Sequence, residues 1–192
     1  MLQAPVLPNA ATEIGDKSLV AAAAERPEEF AALYERYMPA VYRYLVTRSA
    51  SREEAADLTQ AVFTRAFGNL SRYRPGRAPF AAWLFRIARN AATDAHRRRR
   101  ATVSWDGLPE ALAALDGTEP EALAEKRERM ARLRAMLERI DSGKREMLAL
   151  RFASDLSVRE IATVVGKSEA AVKKQLTRTI ATLKEYYHDE LP

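Results

Sequence analysis

Apolar residues along this chain recur at spacings of three and four, the signature of amphipathic helices rather than of strands. From Pro27 onward Phe30, Leu33, Tyr34, Tyr37, Val41, Tyr44 and Leu45 hold helical spacing, with Pro39 placed to kink the helix midway. Ser51, followed three residues later by Glu54, makes a capping box, so a second helix starts there and runs to about Phe67. Leu58, Val62 and Ala66 form its buried side, Asp57, Gln60, Thr64 and Arg65 its outer side, and Phe63 falls on the boundary between the two. Pro75, Gly76 and Pro79 interrupt the pattern and mark a loop from Asn69 to Pro79. The longest stripe follows, with Phe80, Trp83, Leu84, Ile87, Ala88, Ala91, Ala92 and Ala95 on one face of a helix. Its opposite face reads Arg86, Arg89, Asn90, Thr93, Asp94 and Arg97 and runs out into Arg98, Arg99 and Arg100.

Helical period returns near Pro120 with Leu123, Met130, Leu133, Leu137 and Ile140, and stops at Asp141, Ser142 and Gly143. A further helix spans Lys144 to Phe152 and buries Met147, Leu148 and Leu150. Ser157, with Glu160 at the third position, caps a short helix whose Ile161, Ala162 and Val165 face inward. Gly166 makes a turn, and Ser168 caps a longer helix from Glu169 to about Tyr186, with Val172, Leu176, Ile180, Leu183 and Tyr187 as its core stripe. These are the proportions of a helix-turn-helix. Glu169, Ala170, Lys173, Lys174, Thr177 and Arg178 point outward near the start of the second helix, the end that enters a major groove in such motifs.

The predicted fold is therefore all-α, with two small helical domains, residues 26–100 and 126–188, joined by a flexible linker over residues 101–125. Residues 1–25, with Pro5, Pro8, an alanine run and no sustained period, read as a disordered tail. At 192 residues the chain is long enough for two such domains.

Charge sharpens this division. The formal net charge is +5, and the isoelectric point near 9.6 points to an anionic partner. Between Arg72 and Arg100 nine arginines stand against the single acid Asp94. Residues 101–125 contain no Lys or Arg, while Asp106, Glu110, Asp116, Glu119, Glu121 and Glu125 make the segment acidic. A basic block, an acidic spacer and a second basic block look like two binding modules on a tether.

The chemistry available narrows the classes. There are no cysteines, so disulfides and thiolate metal sites are excluded, and only His96 and His188 could supply imidazole. No apolar run approaches a membrane span and the opening residues do not read as a signal peptide, so no membrane insertion and a cytoplasmic location are expected. Asp94 stands alone among arginines, which leaves a carboxylate-metal nuclease without a visible site and makes no cofactor and no enzymatic activity the expectation. In the loop, Arg72, Tyr73, Arg74 and Arg77 mix guanidinium with an aromatic ring, a composition suited to unstacked bases; a plain connection between helices accounts for it equally. On the recognition helix, Lys173, Lys174 and Arg178 are suited to phosphates and base edges. A stand-alone helix-turn-helix regulator would use this second half and leave the first without a purpose.

Taken together, the two halves resemble a known class. Asp57-Leu58-Thr59-Gln60-Ala61-Val62-Phe63, followed by Phe80-Ala81-Ala82-Trp83-Leu84-Phe85-Arg86-Ile87-Ala88-Arg89-Asn90 and the arginine tract, is similar to region two of extracytoplasmic-function (ECF) sigma factors of the sigma-70 family. Leu156-Ser157-Val158-Arg159-Glu160-Ile161-Ala162, continuing through Val172-Lys173-Lys174-Gln175-Leu176-Thr177-Arg178, resembles their region four. The resemblance implies an alternative sigma factor that binds bacterial core RNA polymerase and directs promoter recognition, melting and transcription initiation. It implies core polymerase contacts at Asp57, Gln60 and Phe63, and minus-ten DNA contacts at Arg72, Tyr73, Arg86, Asn90 and Arg97. It further implies minus-thirty-five contacts at Ser168, Glu169, Lys173, Lys174, Thr177 and Arg178, and the class admits an anti-sigma factor as a partner. Two positions depart from the pattern: Ala61 stands where many members carry an acid, and the loop from Arg74 to Pro79 is unusually rich in proline.

Overall fold

The computed structural model describes residues 10–99 and 120–189, and within that range every regular element is a helix. In the first module α1 (Ala10–Glu25), α2 (Phe30–Val46), α3 (Arg52–Gly68) and α4 (Phe80–Arg99) pack together, with single 3₁₀ turns at Pro27–Glu29 and Leu70–Arg72. In the second, α5 (Pro120–Glu138) leads into α6 (Ser142–Leu148), a π-helical turn (Ala149–Ala153), α7 (Val158–Val165) and α8 (Glu169–Asp189). Most of the acidic linker, residues 101–119, lies outside the described residues, whereas its end from Pro120 belongs to α5.

Local chemistry sets the helix ends. Ser51 Oγ accepts from the Glu54 N–H at 3.1 Å, and Glu54 Oε2 accepts from the Ala50 N–H at 2.8 Å. Asp141 caps α6 by accepting from the Lys144 N–H at 2.9 Å. Burial works against the charged form of Asp141, but this N–H and the Lys144 ammonium outweigh it and hold the carboxyl below its ordinary range. The capping box on α7 is complete, with Ser157 Oγ accepting from Glu160 N–H and Glu160 Oε2 accepting from Ser157 N–H. Gly166 ends α7 in the left-handed region at φ 69°, and Ser168 Oγ accepts from Ala171 N–H at 3.2 Å to start α8.

Several expectations need correction. Residues 10–25, expected within the disordered tail, form α1, which packs on α2 and α4 and buries Val20 and Ala23. Asp16 is buried with them, accepting from the Tyr37 hydroxyl and, at 2.9 Å, from Arg36 Nη1. The alanine run hid this helix, because small side chains carry little periodic signal and the anchoring polar residue is visible only once α2 lies beside it. Phe63, placed on a boundary, is buried. On α8 Tyr186 packs against the core and takes the Arg139 guanidinium 3.8 Å over its ring, while Tyr187, expected in the stripe, is exposed.

One apolar core runs through both modules. α4 touches α1, α2 and α3 on one side and α7 on the other, and the π-helical turn rests on α2. The alanines of α4 make this possible, because small side chains let neighbours approach a helix from more than one direction. A Gly166→Ala variant forces Cβ into the left-handed region and should cost about 1–2 kcal/mol; thermal unfolding followed by circular dichroism should show the melting temperature lowered by several degrees.

Candidate nucleic-acid interface

Between α3 and α4 runs a groove of about 440 Å3. Arg65, Asn69 and Arg72 supply one wall and Trp83, Ile87, Asn90 and Asp94 of α4 the other. Asn69 is tied down, its Nδ2 donating to the Arg65 carbonyl at 2.8 Å while its Oδ1 accepts from Arg72 Nη1 at 3.2 Å. The groove thus gathers two expected residues, Arg72 and Asn90, and adds Trp83 and Asp94, which contact chemistry alone would not have selected. Arg86 and Arg97 are exposed on α4 but do not line it.

Tyr73 is placed differently from expectation. Only 8% exposed, it lies 5.6 Å from the Phe80 ring and 5.3 Å from Trp83, with its hydroxyl donating to the Ala78 carbonyl at 2.8 Å. Its ring is largely packed away, holding the proline-rich loop against α4 and leaving little surface for a base. The loop closes with Gly76 at φ 98°, a conformation that favours glycine.

On the outer side of α3, Asp57 and Gln60 are exposed as expected. Phe63 lies beneath Tyr34, ring centroids 4.7 Å apart, and Phe67 stands 5.2 Å from Phe30. Tyr34 and Phe67 are 41% and 48% exposed, so the aromatic surface beside Asp57 and Gln60 belongs to them, with Phe63 as its support. Phe67 was reachable from sequence as the residue one turn beyond Phe63; Tyr34 sits on another helix and needed the fold.

On the second module Glu169, Lys173, Lys174, Thr177 and Arg178 are all exposed at the start of α8, and among the described residues no ion pair ties down Lys173, Lys174 or Arg178. Ser168 is exposed but its hydroxyl serves as the helix cap. A groove of about 530 Å3 between α6 and α8 brings Lys144 together with Lys174 and Arg178. Lys144 escaped sequence reading because it lies thirty residues from them on a different helix; its ammonium pairs with Asp141 at 3.0 Å. Three cations around one groove, beside the exposed start of a recognition helix, suit a phosphate backbone.

Two helical modules, one with a grooved cationic face and one with a helix-turn-helix, have the make-up of a protein that meets nucleic acid at two places. Residues 33–102 match the family model of Sigma-70 region 2, and residues 130–183 match Sigma-70, region 4. The chain is 34% identical over 157 residues to the ECF RNA polymerase sigma factor SigD of Mycobacterium tuberculosis, covering 79% of this chain and 73% of SigD. It is 32% identical to the ECF RNA polymerase sigma factor BldN of Streptomyces coelicolor across 88% of its own length, and spans 64% of BldN. With the RNA polymerase sigma factor CnrH of Cupriavidus metallidurans the identity is 32%, covering 89% of this chain and 93% of CnrH. The solved structure of CnrH in complex with the cytosolic domain of CnrY superposes with a TM-score of 0.67, 28% identity, and coverage of 92% of this chain and 99% of that one. The chain belongs to the ECF RNA polymerase sigma factors.

Among the described residues no helix is long and apolar enough to cross a membrane. Tyr73→Ala should cost about 3–5 kcal/mol, since a packed aromatic is lost, whereas Arg72→Ala on the groove wall should stay within about 0.5 kcal/mol. Urea unfolding of the two variants separates the loop's internal support from its exposed face.

Proposed function

We propose that this chain acts as an alternative sigma factor by dividing three contacts among three surfaces. The aromatic and carboxylate face of α3, with Asp57 and Gln60 exposed beside Tyr34 and Phe67 and propped by Phe63, docks on bacterial core RNA polymerase. The groove between α3 and α4, with Arg72 and Asn90 in its walls and Arg86 and Arg97 outside it, engages the opened minus-ten element. The start of α8 reads the minus-thirty-five element through Glu169, Lys173, Lys174, Thr177 and Arg178, with Ser168 fixing the helix end and Lys144 adding a phosphate contact. The observation that carries this reading is the exposure of cationic side chains on two separate helical modules, together with the exposed aromatic rings of Tyr34 and Phe67.

No bond is made or broken by the chain on this reading. Opening base pairs costs a few kcal/mol, and each captured base returns about 1–3 kcal/mol through stacking. With Tyr73 built into the loop, the ring that borders the groove is Trp83, half-buried beside Ile87 and Asn90. Work on cytoplasmic polymerase follows from the same reading. So does an anti-sigma partner, since the relative CnrH is solved with the cytosolic domain of CnrY.

Asp57→Ala combined with Gln60→Ala should abolish run-off transcription with core polymerase while leaving thermal stability within about 0.5 kcal/mol, because both side chains are exposed; unchanged transcription overturns the docking face. Replacing Lys173 or Arg178 by Ala distinguishes two roles on α8. A phosphate contact loses affinity evenly across sequences and lowers the salt slope by about one. A base contact loses about 1–3 kcal/mol at a single promoter position. Fluorescence anisotropy of the holoenzyme on variant promoters at several salt concentrations reads both.

A further inference from the structure

We infer that α1 belongs to the apparatus that opens the minus-ten element: Asp16, acting through Tyr37 and Phe80, is a positioning residue for Trp83 and for the proline-rich loop beside the groove between α3 and α4. The inference rests on the sigma-factor reading above. α1 lies ahead of residues 33–102, the stretch that matches Sigma-70 region 2.

Little apolar surface holds α1 in place. Val20 and Ala23 are buried and Leu19 packs partly against the core. Hydrophobic contact is non-directional, so a patch of this kind attracts the helix without fixing its register. Asp16 supplies the direction. Its buried carboxylate accepts from the Tyr37 hydroxyl and, at 2.9 Å, from Arg36 Nη1, and a slip of α1 would strand that charge away from water and donors. Gly15 keeps the approach open, since a Cβ there would stand 3.3 Å from Arg36 Nη1. Burial, and after it the bond to Asp16, push the Tyr37 hydroxyl far above its ordinary range, so it stays a neutral donor.

From Tyr37 the contact passes ring to ring. The Tyr37 ring lies 5.5 Å from that of Phe80, the buried first residue of α4. Phe80 in turn stands 5.6 Å from Tyr73 and 5.5 Å from Trp83, and those two are 5.3 Å apart. Rings interlocked at these separations do not turn independently, because a close-packed interior leaves no room for one to move alone. α1 also meets the loop directly. Asp16 and Lys17 share a cavity of about 60 Å3 with Tyr73, Gly76, Ala78 and Pro79, and α1 touches the 3₁₀ turn that carries Arg72. Arg72 on one wall of the groove and Trp83 on the other thus stand on elements braced from α1. A ring aligned in advance gives a captured base its full stacking energy, whereas one ordered at the moment of capture loses part of it to entropy.

Tyr37→Phe and Asp16→Ala cut the same bond from its two ends, and Asp16→Asn keeps an acceptor for the hydroxyl. The chain has two tryptophans, Trp83 and Trp105, so a Trp105→Phe background leaves Trp83 as the sole fluorescent reporter. In the free full-length protein, Tyr37→Phe and Asp16→Ala should shift the Trp83 emission and raise its quenching by acrylamide, while Asp16→Asn stays near the parent. In the holoenzyme, 2-aminopurine placed in the minus-ten element should report opening slowed about tenfold by either of the first two variants, with no further loss when they are combined. Binding of the same holoenzymes to a duplex that carries the minus-thirty-five element alone should not change. Tyr37→Phe deletes only a hydroxyl, so it remains informative even where Asp16→Ala releases α1. Unaltered Trp83 fluorescence in both variants overturns the ring-to-ring connection. Altered fluorescence with an unchanged rate of opening overturns the part of α1 in promoter opening, as does an equal loss on the minus-thirty-five duplex, which marks a general loss of fold. If the parent chain opens no promoter with core polymerase while Trp83 still responds to Tyr37→Phe, the failure lies with the sigma-factor reading and not with the brace.

Discussion

Everything in this molecule leans on α4, a helix buried from more than one side at once. An amphipathic helix ordinarily hides a single stripe and shows water the rest. Here Phe80, Leu84 and Phe85 are buried together with Ala81, Ala82, Ala88, Ala91, Ala92 and Ala95, so the buried surface is wider than the stripe read from spacing. α1, α2 and α3 take one part of it and α7 takes another. What remains for solvent is Arg86, Asn90, Thr93, Asp94, His96, Arg97 and Arg98, with Trp83 and Ile87 at its edge. The solvent-facing surface of α4 is therefore whatever packing leaves over, and its width is set by how many neighbours the alanines admit.

The arginines sort into two populations by the same logic. Arg43, Arg48 and Arg89 are directed into the contact between modules, where Glu146, Asp155 and a carbonyl receive them. A buried carboxylate is costly to desolvate, and ion pairs of this kind generally come close to breaking even against apolar substitutes. The apolar packing of α7 on α4 must then supply most of the attraction, while Glu146 sets which way the two modules face. Burial raises the Tyr44 hydroxyl well above its ordinary range, so it stays a neutral donor to that carboxylate at all physiological pH. Asp155, partly desolvated, is raised as well despite the neighbouring Arg43. Lys173, Lys174 and Arg178 belong to the other population, exposed at the start of α8.

Element boundaries were legible wherever a capping residue declared them: Ser51, Ser157, Gly166 and Ser168 stand where spacing and turn chemistry place them. The exposure of Asp57, Gln60, Asn90 and the α8 cations was legible for the same reason, since a helical period assigns faces without knowledge of neighbours. Features that depend on a second helix were not. Phe63 and Phe67 lie one turn apart on α3, and which of them is covered is decided by Phe30 and Tyr34 on α2. Tyr73 has the composition of a base-stacking residue, and only Phe80, Trp83 and the Ala78 carbonyl reveal it as a structural one. Arg89 reads as one more cation on the open face of α4 until Glu146 is seen across from it.

That last residue shows why sequence period alone misjudges a two-module protein. Arg86, Arg89 and Asn90 occupy neighbouring positions on the same side of α4, yet Arg89 faces the partner module while Arg86 and Asn90 face solvent. A difference of one turn in registry between α4 and α6 would take Arg89 away from Glu146 and set another side chain of α4 in its place. Because an uncompensated buried guanidinium or carboxylate is strongly unfavourable, such a slip is penalised by Glu146 itself. Tyr44, Arg48 and Arg89 all meet the same carboxylate oxygen, so the arrangement in which the three arrive together satisfies it, while a slipped one leaves a buried charge short of partners.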